Sequence, residues 1–155
     1  MGQVEDEAAE KIYRAIGRFV FEFSQVEYTI RHFLAQEIGL KDEHFSAVVE
    51  SYEVGALTTV AIEVFKKSRG DDAVPIWKLL NKFRGMNDER KRVAHGLWVP
   101  FKDGGTVHYV PRNKLTANQF TDQAKELEQR ADDLCQLRAD LEQAFWAIPM
   151  IKKHP

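Results

Sequence analysis

The sequence predicts an all-α fold, a helical bundle of four to five helices with one small β-hairpin inserted before the last helix. Three observations carry this expectation. Towards each end of the chain, apolar residues recur at helical spacing for more than six turns. One segment, Leu97 to Val110, breaks that rhythm with aromatic and β-branched residues around an Asp-Gly pair. Glycine or proline stands at most of the boundaries between patterns. At 155 residues the chain is read as a single domain, 1–155, long enough to bury a full core.

The first helix is predicted from about Glu5 to Ile38. Ile12, Ile16, Phe19, Phe23, Val26, Ile30 and Phe33 recur at alternating intervals of four and three, which draws one continuous seam. Val20, Phe21 and Leu34 widen that surface and point to the central helix of the bundle, and Gly39 stands in the helix-stop position. Lys41 to Gly70 reads as helix with a break near Gly55, giving a short piece around Phe45–Val49 and a longer one through Leu57, Val60, Ala61, Val64 and Phe65. Asp71 and Asp72 are expected to cap the third helix, with Pro75 in its first turn, where backbone N–H groups lack helical partners. That helix should end at His95, with Gly96 as the left-handed residue after it.

The hairpin is placed at about 97–111, with its turn at Lys102-Asp103-Gly104-Gly105 and with Pro100 and Pro111 fitting edges or ends. The last helix is placed at about 116–148. Thr116 and Gln119 form a capping-box pattern, and Leu115 and Phe120 a hydrophobic staple around it. Phe120, Leu127, Leu134, Leu141 and Ile148 then recur every seven residues beside Ala124, Ala131, Leu137 and Phe145, a seam that closes the bundle or joins two copies, with Pro149 ending the helix.

Composition narrows the function classes. Cys135 is the single cysteine, so no intrachain disulfide forms, and its place on an amphipathic helix predicts a small buried hydrophobe. The acidic N-terminal residues and the lack of a long uncharged apolar run predict a soluble, cytoplasmic chain with no membrane partner. His32, His44 and His108 have no zinc-site spacing, and no glycine-rich phosphate loop is present, so neither a metal nor a cofactor is expected. Net charge is only −2, yet Lys78 to Lys114 holds nine basic residues against three acidic ones. That segregation predicts an anion-facing region on an acidic body.

Within this basic segment one residue is out of place. At about 100° per residue, Ile76, Leu79, Leu80, Met86, Asn87, Arg90 and Ala94 all fall within about 60° of Phe83, and only Arg90 is charged. A guanidinium keeps its charge, so Arg90 must face a carboxylate, a wet cleft or an anion. His95 follows five positions later, about 140° around a regular helix, so the two meet only if the helix unwinds at Gly96 or if two chains share one cleft. A helix C-terminus is where the dipole favours cations, and an imidazole passes protons near neutral pH. Arginine and histidine together are sufficient for transesterification of RNA, in which the ribose 2′-OH attacks its own phosphodiester.

The stretch Arg90-Lys91-Arg92-Val93-Ala94-His95-Gly96, with Phe23-Ser24-Gln25-Val26-Glu27 on the first helix, resembles the HEPN superfamily. Its motif is an arginine followed after four to six residues by a histidine at a helix end, and the resemblance spans roughly Lys11 to Ile148. It implies a helical homodimer, a metal-independent endoribonuclease of the toxin or defence type, RNA as substrate and an antitoxin as a partner. Arg90 and His95 carry over as the catalytic positions. Lys91, Arg92, Asn87, Lys82 and Arg84 are the accompanying RNA and phosphate contacts, read from their charge and place on the helix. Lys91 stands where active members usually carry Asn, Asp or His. The competing expectation is therefore a non-catalytic helical module that binds RNA or an acidic protein.

Overall fold

In the computed structural model of the chain, which describes residues 2–110 and 115–148, helix α1 runs from Gly2 to Glu37. Its seam is buried as expected except at Ile16, which is half-buried: Ile12, Phe19, Phe23, Val26, Ile30 and Phe33 are inside. Phe21 is not, because it shares an outward face with Tyr13 and Tyr28. Helix α1 therefore has a solvent side and is not surrounded by the bundle. It ends in a Schellman turn: Gly39 takes φ 67°, its N–H donates to the Gln36 carbonyl, and the Leu40 N–H donates to the Ala35 carbonyl.

Helix α2, Asp42–Phe45, passes into a π-helical turn at Ser46–Glu50, and α3 spans Val54–Arg69. The break expected near Gly55 lies at residues 51–53, and Gly55 itself is inside α3. Arg31 explains the position. Its guanidinium donates to the Val49 carbonyl and, at 2.7 Å, to the Tyr52 carbonyl, and it pairs with Glu27, so the acceptors freed by the break are met. A 3₁₀ turn, Gly70–Ala73, leads to α4, Val74–Gly85, with Pro75 in the first turn. Asp71 and Asp72 do not cap it. The N-cap is Ala73, because the aspartates are taken into the preceding turn.

The third helix is bent. The Met86 N–H closes onto the Phe83 carbonyl three residues back and α4 stops, and α5 begins afresh at Asn87 and runs to His95. The phase that linked Phe83 to Arg90 is broken there. Ile76, Leu80 and Phe83 are buried, whereas Ala94 is exposed and Arg90 half-buried.

Strands β1, Leu97–Phe101, and β2, Gly104–Tyr109, form the expected hairpin around a two-residue turn, Lys102–Asp103, so Gly104 and Gly105 lie in β2 itself. A third strand, β3, Asn118–Gln123, pairs antiparallel with β2. Residues 118–123 were expected to be helical. Pairing with β2 puts Phe120 beside buried Val107 and turns Asp122 inward to two arginines, which outweighs the local capping pattern. Helix α6 starts only at Ala124 and ends at Ala147. Its N-terminus is held differently: the Ala124 N–H donates to the Asp103 carbonyl, and Glu126 accepts from the Gln123 N–H. Leu127, Ala131, Leu134, Leu137, Leu141 and Phe145 are buried within the chain, so this seam closes the bundle. Cys135 is exposed, lying one position beyond buried Leu134. The expectations for Pro111, Arg112, Lys114 and Pro149 lie outside the described residues.

The chain is thus an all-α bundle of four helices, one of them bent, with a three-stranded sheet inserted before the last. By contacts it divides into two compact units, residues 1–24 with 88–135, and residues 25–87 with 136–155. The first holds the sheet, α5 and the start of α6. The second holds α2 to α4 and the end of α6. Among the described residues no single helix is long and apolar enough to cross a membrane.

Candidate functional site

Helix α5 has one face turned into its unit and one turned out. Around its axis Glu89, Arg92, Val93 and the following Gly96 fall within about 100° of one another. Val93 is buried, and the Trp98 indole N–H reaches its carbonyl at 2.9 Å. Gly96 is required at this corner for space, not for a left-handed backbone. A Cβ there would collide with the Val107 side chain and come within 2.6 Å of the Arg92 carbonyl oxygen. The expected left-handed turn is absent because the chain passes from helix to strand at negative φ.

A four-membered ion network anchors this inner face. Arg92 donates to Asp122 at 3.1 Å and lies 3.5 Å from Glu89, while Arg130 of α6 donates to Asp122 at 3.1 Å and pairs with Glu89 at 2.6 Å. The Arg92 guanidinium also stacks over Phe120, 4.4 Å from the ring centre. Asp122 is nearly buried, and burial pushes the Glu89 carboxyl up: desolvation and the neighbouring Asp122 outweigh the pull of Arg130 and Arg92. Glu89, Asp122 and Arg130 were not singled out from sequence. The signal for Asp122 was only its parity with Phe120 on a strand that was not recognised.

Arg92, expected as a phosphate contact, therefore has its charge met by two carboxylates. The remaining residues of the motif lie outward. Going round the helix from Arg90, the order is Arg90, Ala94, Asn87, Lys91, His95 and Asp88, a sector of about 160°. Lys91 pairs with Asp88 at 3.4 Å, one turn away. His95 is exposed and, among the described residues, makes no hydrogen bond or ion pair, to the last helical carbonyls or elsewhere. The Gly96 N–H donates to the Arg92 carbonyl at 2.9 Å, so α5 stays wound through His95 and the imidazole does not swing back towards Arg90. Arg90 and His95 stand about 140° and five residues apart in one chain.

Arg90 is the unpaired cation of this face. Its guanidinium lies 5.8 Å from the centre of the Phe23 ring, and among the described residues it has no carboxylate or carbonyl partner. Lys82 and Arg84 are exposed on α4, Arg84 bonded to Asn81 at 2.7 Å. The structure therefore puts Asn87, Lys91, Arg90 and His95 on one outward surface and leaves Lys82 and Arg84 on a separate helix. Among the described residues no group of three or more histidine, cysteine or acidic side chains is placed to hold a metal ion. No family model, curated protein or solved structure matches the chain.

Proposed function

We propose that this chain binds RNA through the outward face of α5 and, as a homodimer, cleaves it by metal-independent transesterification in the cytoplasm. One observation carries the reading. Of the two arginines of the motif, Arg92 is neutralised by Asp122 and Glu89, while Arg90 stays half-buried over an aromatic ring with no anion of its own among the described residues. A guanidinium held in this way favours a phosphate, to which it offers two parallel donors. In the reaction Arg90 holds the scissile phosphate and stabilises charge on the phosphorane. His95 exchanges protons with the 2′-OH or the 5′ leaving oxygen, and Lys91 and Asn87 contact flanking phosphates. The 2′-oxygen forms the new P–O bond as the bond to the 5′-oxygen breaks, leaving a 2′,3′-cyclic phosphate and a 5′-hydroxyl. Because α5 remains regular, Arg90 and His95 serve one phosphate only when a two-fold axis brings them together from two chains. In the toxin or defence setting that the motif implies, an antitoxin covers this face.

A second reading has its own observation. Lys91 lies between Arg90 and His95 and is drawn to Asp88, an arrangement suited to holding a backbone without cutting it. In that case the chain is a non-catalytic module for RNA or an acidic protein. Incubation with mixed RNA in excess EDTA, alongside Arg90→Ala and His95→Ala, decides between them. Cleavage with cyclic-phosphate ends, lost in both variants, is the expected outcome. Cleavage that persists in both variants removes these residues from the chemistry. Intact RNA, bound in a salt-sensitive way and less tightly by Arg90→Ala, establishes the binding module.

A further inference from the structure

The outer face of the sheet is a grid of three rows. Register places Leu97 beside His108 and Gln119, Val99 beside Thr106 and Thr121, and Phe101 beside Gly104 and Gln123. Alternation along each strand turns Trp98, Val107, Phe120 and Asp122 inward and the grid outward, although Gly104 within it is buried and Thr106 half-buried. Its apolar column is unusually open for such side chains: Leu97 is 70%, Val99 52% and Phe101 40% exposed. None of the polar side chains of the grid makes a hydrogen bond among the described residues. Addition of another strand at the β1 edge is disfavoured, because Pro100 sits in β1 and offers no N–H. The sheet also presents a face, apolar along one side and free to hydrogen-bond along the other.

Charge and position say what the face suits. The grid contains no carboxylate, although the chain as a whole is acidic, because Asp122 points inward to Arg92 and Arg130. Lys102 and Lys125 stand on its rim. Of the rim acids, Glu126 is held by the Gln123 N–H, and Asp103 shares the turn with Lys102. His95 precedes Leu97 by two residues, so at most about 7 Å separates their Cα atoms. Alternate residues along a strand are about 6.7 Å apart, roughly twice the 3.4 Å rise of a stacked nucleic-acid strand. Bases lifted out of a stack fit that spacing, and recognition of unpaired RNA proceeds by such splayed bases, stacked on side chains and bonded at their edges.

We propose that this face is the platform for the bases of a single-stranded RNA whose phosphates α5 engages, with Phe101 stacking on one base, Leu97 and Val99 covering its neighbours, and Gln119 and Gln123 bonding base edges. The inference rests on the reading of α5 as an RNA-facing helix and adds where the bases of the bound strand are held. The test uses the full chain and a single-stranded oligonucleotide carrying 4-thiouridine, with binding followed by fluorescence anisotropy and cross-links mapped by mass spectrometry. Cross-links are expected in Leu97–Phe101. Phe101→Ala should weaken binding roughly 5- to 100-fold without changing its salt dependence, and Phe101→Trp should retain affinity. Arg90→Ala should instead reduce the salt dependence. If the RNA binds and Arg90→Ala weakens it while Phe101→Ala and Leu97→Ser have no effect, the platform is refuted and the reading of α5 stands. If no RNA binds, both fail, and loss of self-association in Leu97→Ser by sedimentation would then assign the face to a second copy of the chain.

Discussion

Arg69 and Arg90 are arginines on the helices of a single chain, and they are treated in opposite ways. In the unit formed by residues 25–87 and 136–155, Arg69 is 3% exposed and beside a Glu37 side chain with no exposure at all. Its guanidinium donates to both Glu37 oxygens, at 2.9 and 2.6 Å, and to the carbonyls of Phe145, at 2.7 Å, and Ile148, while lying 4.4 Å from the Phe145 ring centre. Arg90, in the other unit, has an aromatic ring behind it and, among the described residues, no acceptor in front. Burial alone does not separate the two arginines. The difference lies in how many of the donors are already used. Arg69 also closes the last turn of α6, whose carbonyls would otherwise lack partners, so it fastens the ends of three helices of its unit. Among the described residues Arg90 makes only its contact with the Phe23 ring.

The comparison is broken first by removing Arg69. Arg69→Ala leaves Glu37 charged and buried and frees two carbonyls, and should cost about 3–5 kcal/mol in denaturant unfolding; a loss under about 1 kcal/mol would mean that the pair is not structural. The pH dependence comes next. Burial pushes the Glu37 carboxyl up, but hydrogen bonds from Arg69 and Ser68 and the charge of Arg69 more than compensate and hold it below the usual carboxylate range. Its stabilisation is complete above the unfolded value, about 4.3, and is lost as pH falls through the lower folded value. Glu89 has the opposite sign. Its raised carboxyl destabilises the fold when ionised, and that penalty disappears as pH falls to the unfolded value. Glu89→Gln should therefore be at least as stable as the parent at pH 7 and should flatten the melting-temperature profile just above pH 4.3. A clear loss at pH 7 would make the ionised Glu89 a net structural partner of Arg92 and Arg130. The smallest effect on stability belongs to Arg90→Ala, within about 0.5 kcal/mol. Unfolding of that variant would put Arg90 in the same class as Arg69.

Much of the fold was legible because burial imposes periodicity. The seams of α1 and α6 were visible as intervals of three, four and seven, and the β1–β2 hairpin as a change of rhythm around Asp103-Gly104. Strand β3 was not legible. Asn118–Gln123 is short, and a capping pattern overlapped it; what decides its state is the pairing with β2 and the demand of Arg92 and Arg130 for Asp122. The bend at Met86 was hidden for a related reason, since the apolar spacing continues across it while the backbone does not. For the site, the sequence named Arg90, Lys91, Asn87 and His95, which do share one surface. It also named Arg92, which looks like its neighbours in composition and is distinguished only by the two carboxylates it meets.

The sequence by itself determined the all-α class, the long helices and the hairpin, because these depend on spacing along one chain. Tertiary structure decided which cations are already paired. A guanidinium is charged wherever it stands, and only the three-dimensional placement of Asp122, Glu89, Glu37 and the carbonyls of α6 determines whether that charge is met inside the protein or left for an anion outside it.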